Sequence, residues 1–215
     1  MAFTVACNSN KGEKVDATTA TEDAATVTAS SVVYGIDPST SIINWIGRKS
    51  FIPDQHNGTI KLSSGKLAVE NGELKAGEFV IDMNSIVDED LKKADANAKL
   101  VGHLKSKDFF AADTYPTAKF EIVNVEKVQN STEYTHNITG NLTMRDSTKQ
   151  IVIPANVAIT EDKVTAVTPE FTIDRTQWSV MYGSDKEKSM VGAAKDKIIS
   201  NDITLRLLLN GTKTM

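Results

Sequence analysis

Three histidines, one cysteine and an arginine close to a tryptophan carry the most versatile chemistry in this sequence. His56, His103 and His136 fall on different segments, and none has a second histidine two or four residues away. A metal centre needs three or four convergent ligands, so the fold would have to gather these histidines with carboxylates. The spacing alone predicts no metal site, and separate structural or surface roles are the expectation. Nucleophilic catalysis has no signature: there is no G-x-S-x-G, and Cys7 stands outside the patterned part of the chain. A Ser-His-Asp arrangement is a matter of geometry that spacing does not reveal. The expectation is a protein that is not an enzyme and has no catalytic residues. Arg175 follows an alternating apolar run and precedes Trp178. A guanidinium there can meet an anionic group such as a phosphate, or a structural carboxylate such as Asp174.

The bulk properties narrow the classes of partner. The chain has 215 residues, a net charge of -4 and 40% hydrophobic residues, with acids and bases well mixed. That is the size of one domain, or of one domain plus a tail. No basic stripe could neutralise a row of phosphates, so no nucleic-acid partner is expected. No window of about 18 consecutive apolar residues is present, so no transmembrane helix is expected.

One cysteine precludes an intrachain disulfide and a Cys-rich zinc site. Its setting, "FTVACNSN", places small residues before Cys7 and a polar tract after it. This resembles the end of a bacterial lipoprotein signal peptide, although most of the charged and apolar part of such a signal is missing. The resemblance implies lipidation at Cys7 and a membrane anchor. From Asn8 to about Ser31 the chain is mostly Ala, Thr, Ser, Asp and Glu, without an aromatic or a period. Such a segment is expected to be a flexible tether, because it buries too little to offset its ordering entropy. Residues 1–31 are therefore read as residual signal and tether, and residues 32–215 as the folded domain.

The elements that must position any site begin at Val32. Alternation, the mark of half-buried strands, puts Ile43, Trp45 and Gly47 on one face, and Phe79, Ile81 and Met83 on another. It likewise groups Phe120 with Ile122; Ile138 with Leu142 and Met144; Phe171 with Ile173; and Ile203, Leu205, Leu207 and Leu209. Turn signals separate these runs at Asn57-Gly58, Asn71-Gly72 and Arg145–Lys149. One stretch differs: from Asp88 to Leu104, the apolar positions Leu91, Ala94, Ala98, Val101 and Leu104 recur at three and four. An amphipathic helix is expected there, with Asp88, Glu89 and Asp90 in its first turn. Many short strands and one helix predict a mainly β fold: an antiparallel up-and-down, lipocalin-like barrel of about eight strands. The polar-looking connector "SKDFFAADTYP" then leads from helix to barrel. Phe109 and Phe110 are expected to turn inward, with Asp108 and Asp113 at a polar edge and Tyr115 anchoring the next strand.

Five segments, in order, resemble the YceI-like family, also described as polyisoprenoid-binding proteins. They are "YGIDPSTSIINWIGR", "HNGTIKLSSGKL", "HLKSKDFFAADTYPTAKFEI", "GNLTMRDSTKQIVIP" and "FTIDRTQWSVMYGS", and the final strand "NDITLRLLL" also fits. Asp146 stands where glycine is usual after the arginine, and Val101-Gly102 replaces the commoner Arg-Asp before His103. The resemblance implies a barrel with an internal tunnel and binding of long apolar chains, polyisoprenoid or fatty-acyl derivatives, for transport, storage or protection. It also implies a bacterial periplasm or cell-envelope location. No cofactor other than a bound lipid is expected. A homodimer stays open, as do two alternatives in function: a packed barrel acting as a binding module, and a lipid hydrolase.

The expected ligand-contacting side chains are Trp45, Phe79, Ile81, Met83, Leu104, Phe109, Phe110, Phe120, Leu142, Phe171 and Trp178. His56, His103 and Arg175 are the expected head-group contacts. An alkyl chain gains about 0.8 kcal/mol per buried CH2, so such a wall binds long chains with few polar contacts.

Overall fold

The computed structural model describes residues 12–214; Cys7 and its lipidation lie outside the described residues. Two short strands, β1 (Glu13–Lys14) and β2 (Thr18–Thr19), precede β3 (Val32–Ile36), β4 (Ile42–Arg48), β5 (Gln55–Glu70) and β6 (Glu73–Asp88). The helix α1 (Ala94–Lys105) follows. Then come β7 (Thr117–Lys127), β8 (His136–Met144), β9 (Ser147–Ile159), β10 (Lys163–Val167), β11 (Phe171–Asp174) and β12 (Asp202–Lys213).

The pairings close into a ring. The strands β5 to β10 are joined antiparallel, neighbour to neighbour, and β10 pairs with β12. The ring then closes twice over. Near one end β12 and β5 are bridged by β3, and near the other by β4. Similarly, β10 and β11 pair with successive halves of β12. Counting β3/β4 and β10/β11 as one position each gives eight positions: β3/β4, β5, β6, β7, β8, β9, β10/β11 and β12. This is the expected antiparallel barrel, and closure leaves few free strand edges. Period-2 alternation turns Phe79, Met83, Phe120, Ile122, Leu142, Phe171 and Leu209 into one buried cluster.

Two parts of the sequence reading are corrected. The segment up to Ser31, expected to be a free tether, lies along the barrel from Gly12 onward. Where β11 and β9 are not paired to each other, β1 adds parallel to β11 and β2 pairs antiparallel with β9. Val15 is 6% exposed, and its amide donates to Thr172 O at 2.8 Å. Farther on, Ala25 N donates to Ile122 O, and Asn141 Nδ2 donates to Glu22 O, both at 2.8 Å. The segment is ordered by main-chain hydrogen bonds to open strand edges, which composition does not encode.

The helix is also shorter than its pattern. Asp88 is still the last residue of β6, and Glu89 and Asp90 lie in the connection rather than in the first helical turn. Ala94 and Ala98 are exposed, whereas Leu100, His103 and Leu104 face the barrel interior. The helix thus presents a face about one position away from the expected stripe.

Candidate functional site

The barrel encloses an apolar cavity of about 350 Å³. Its wall is built from the inward positions of nearly every strand. Phe79 and Phe120 are register partners on β6 and β7, and their rings stack with centroids 6.3 Å apart. Gly140 on β8, the register partner of Ile122, leaves the space the Phe120 ring needs: a Cβ there would lie 2.2 Å from the ring. Trp45 on β4 is held by its Nε1, which donates to Thr59 O at 3.3 Å. Ile81, Met83, Leu142 and Phe171 complete this part of the wall, and α1 adds Leu104. Ten of the eleven expected contact residues thus line the cavity: Trp45, Phe79, Ile81, Met83, Leu104, Phe109, Phe110, Phe120, Leu142 and Phe171.

Trp178 is the exception. It is 0% exposed but does not line the cavity; it sits in a 3-10 turn, Arg175–Trp178, and its Nε1 donates to Leu142 O at 2.9 Å. It supports the wall from behind, because the turn after β11 carries it out of the strand's alternation. Several lining residues were grouped on inward faces but not singled out as contacts, among them Ile43, Met144 and Leu207. Their alternation was the available signal. Ile151 and Ile153 on β9 were missed as well, although their own i, i+2 spacing carried the same signal.

One end of the cavity is polar. Antiparallel register puts Arg48 opposite Gln55 and Gly47 opposite His56. The start of β12 joins them, with Arg48 Nη1 donating to Thr204 Oγ1 at 2.7 Å and Ser200 N donating to Arg48 O at 2.8 Å. Arg48, His56, His103 and Arg175 all contribute to the lining here. The expected head-group residues His56, His103 and Arg175 are therefore brought to one end. Arg48 was missed, although it directly follows an alternating run.

Arg175 is 1% exposed, and main-chain carbonyls rather than a carboxylate bind its guanidinium. Nε donates to Ser200 O at 3.0 Å, Nη1 to Val180 O at 2.5 Å and Nη2 to Ile199 O at 3.3 Å. Burial lowers its pKa, and the nearby carboxylates of Asp174, Glu187 and Asp185 oppose that shift. The alternative of an Arg175–Asp174 salt bridge is not what forms: Asp174 pairs with Lys186 Nζ at 2.7 Å.

The connector after α1 packs at the same end. Phe109 is buried and meets His103 edge-on at 5.0 Å and Tyr182 at 5.3 Å between centroids. Asp108 and Asp113 are exposed, as expected, and Asp108 lies 3.1 Å from His103 Nε2. The loop is fixed by Ala111 at φ 48° and by its amide donating to Ser106 O at 2.8 Å. Tyr115 lies under the Arg145 guanidinium, 5.9 Å from the ring centroid, at the entry to β7.

His56 also touches a second group. Its Nδ1 lies 3.0 Å from Asp90 Oδ2. Asp88 sits beside them, its pKa raised by burial against the opposing amide of Leu91. Burial also acts to raise Asp90. Hydrogen bonds from Asn57 N and His56 outweigh it and leave Asp90 below the usual carboxylate range. His136 is buried on β8 away from this end; burial, then the Lys127 charge, lowers its pKa.

The fold has solved counterparts. Burkholderia cenocepacia BcnA superposes with a TM-score of 0.59 at 19% identity, over 81% of this chain and 98% of that one. A polyisoprenoid binding domain from Saccharophagus degradans, implicated in plant cell wall breakdown, gives 0.58 at 14% identity, over 85% and 99%. At these identities the likeness is one of fold. No curated protein matches the sequence. The sequence model of the YceI-like domain matches residues 34–210, from the first barrel strand into the last. The chain belongs to the YceI-like family.

Proposed function

We propose that this protein binds one long apolar-chain lipid, a polyisoprenoid or fatty-acyl derivative, inside the barrel. The tail occupies the cavity, and an anionic or polar head group sits at the end formed by Arg48, His56, His103 and Arg175. The observation that carries this reading is a cavity of about 350 Å³ walled by aliphatic and aromatic side chains, with Arg48, His56, His103 and Arg175 at one end. That volume lies in the range of small-molecule sites, roughly 300–1,000 Å³. The solved Saccharophagus degradans domain of the same fold, described as polyisoprenoid binding, supports the same ligand class. An alkyl tail in such a wall gains about 0.8 kcal/mol per CH2, so affinity follows chain length more than head-group identity.

The cellular role in this proposal is transport, storage or protection of the lipid at the bacterial cell envelope, with a lipidated Cys7 holding the protein to a membrane. The cavity weighs against the alternative of a solidly packed binding module. Among the described residues, His56 and His103 pair with the carboxylates Asp90 and Asp108 rather than with a hydroxyl, so the lipid-hydrolase alternative is the weaker reading. Denaturing organic extraction of the purified protein, followed by mass spectrometry, tests the proposal. A prenyl or acyl compound near one equivalent is expected. Protein consistently free of lipid, and unable to take up such a compound when it is offered, contradicts it.

A further inference from the structure

The pairing of β5 with β6 sets Gly58 opposite Asp88, and the chain continues so that Glu89 N donates to Asn57 O at 2.9 Å. This places Asp88 and Asp90 beside His56, more than thirty residues earlier in the chain. One ligand atom from each of the three lies within 4.8 Å of the others. Both carboxylates are oriented through one oxygen. Asp90 Oδ1 accepts from Asn57 N at 2.8 Å, and Asp88 Oδ1 accepts from Leu91 N at 2.9 Å and Asn97 Nδ2 at 3.0 Å. Asp88 is only 7% exposed, and its Oδ2 is buried without a hydrogen-bond partner among the described residues. A buried, unpartnered carboxylate oxygen beside a second carboxylate is costly unless something positive lies between them.

We propose that His56, Asp88 and Asp90 form a site for one divalent first-row transition ion, Zn2+ foremost, at the edge of the cavity's polar end. One imidazole nitrogen and two carboxylate oxygens form a zinc-type donor set, with bonds of about 2.0–2.2 Å and room for a water or another oxygen in the fourth position. Tetrahedral bonds of that length put neighbouring donors about 3.3 Å apart. The His56–Asp90 pair is already at 3.0 Å, and the Asp88 oxygen, within 4.8 Å of both, has to close by up to about 1.5 Å to complete the site. Ca2+ and Mg2+ suit it less, since they take six or more oxygen ligands and rarely imidazole. The bonds from Asn57, Leu91 and Asn97 are the outer supports that hold ligating carboxylates in place. Because Asn97 lies on α1, the ion also ties the helix start to the β5–β6 hairpin.

The site is tested by titrating ZnCl2 into metal-free full-length protein at neutral pH, with CoCl2 as a spectroscopic probe. One saturable equivalent is expected, with cobalt ligand-field bands. Asp88→Asn and His56→Gln should each weaken binding by at least about tenfold. His56 is one-third exposed, so His56→Gln keeps the test valid if Asp88→Asn impairs folding. No saturable uptake, or uptake unchanged by His56→Gln, overturns the assignment and leaves two carboxyls sharing a proton. Neither result depends on whether the cavity holds lipid.

Discussion

The Arg175 guanidinium lies 5.7 Å from the centroid of the Phe109 ring. The contact joins the turn after β11 to the connector after α1, which are far apart in sequence, at the polar end of the cavity. It is a buried cation on an aromatic face. The guanidinium is held in place mainly by the three carbonyls it binds.

Replacing Arg175 by methionine keeps the volume but leaves the carbonyls of Val180, Ile199 and Ser200 without their donor. A stability loss of about 3 kcal/mol is expected by denaturant unfolding, because buried acceptors lose their partners. Arg175→Lys should recover only part of it, since an ammonium cannot reproduce the planar fork. A methionine variant as stable as the parent would mean that these carbonyls are solvated.

Gly140→Ala tests the wall. The added methyl collides with Phe120, a cavity-lining ring that must shift to make room. Overpacking of this kind costs about 1–3 kcal/mol. A smaller cavity should also weaken uptake of a fluorescent acyl probe more than that of a short alkane. Equal affinity for both ligands in parent and variant would show that the Phe120 side of the cavity is not part of the site.

The N-terminal segment is expected to contribute to stability. Val15→Asp puts a charge into the seam between β11 and β9 and should cost about 2 kcal/mol, close to the value of burying a valine. Hydrogen exchange at the Val15 amide, which donates to Thr172 O, should be slow in the parent and fast in the variant. Fast exchange in the parent would show that the segment detaches freely.

What the sequence disclosed, and what it did not, follows from the range of each signal. Strand alternation is local, so Phe79, Ile81 and Met83 could be placed on one wall without knowing their partners. The aromatic pair Phe109-Phe110 was legible as inward because its segment joins the amphipathic helix to the Phe120 strand and so crosses one end of the barrel. Trp178 was misread as a contact because only tertiary packing distinguishes the front of a wall from its back. Val15 is one of two valines in a polar tract, and its burial depends on strand edges left open by β9 and β11. His56, Asp88 and Asp90 meet through hairpin register, and the three-and-four spacing around Asp88 pointed to a helix that begins only at Ala94.

Acid should act through Asp174. Burial works to raise its pKa, but hydrogen bonds from Lys186 and Thr176 outweigh burial and hold it below the usual value. The folded state then binds fewer protons than the unfolded chain near and below about pH 4. The stabilisation is complete above that range and disappears as the pH falls through the depressed value. Asp174→Asn should lose about 1 kcal/mol at pH 7, discounted for the exposed lysine, and match the parent once the pH lies below that depressed value. A deficit that persists unchanged in acid would assign the effect to packing instead.

The central claim is that an apolar chain occupies the barrel, and a cavity-filling variant tests it most directly. Leu142→Trp introduces an indole at a lining position on β8. Titration of parent and variant with a fluorescent prenyl or acyl probe, with folding checked by circular dichroism, reads the result. The account predicts saturable binding near one equivalent in the parent, with affinity rising with chain length, and a loss of at least tenfold in the folded variant. Absence of saturable binding in the parent, or equal binding in both proteins, would contradict it.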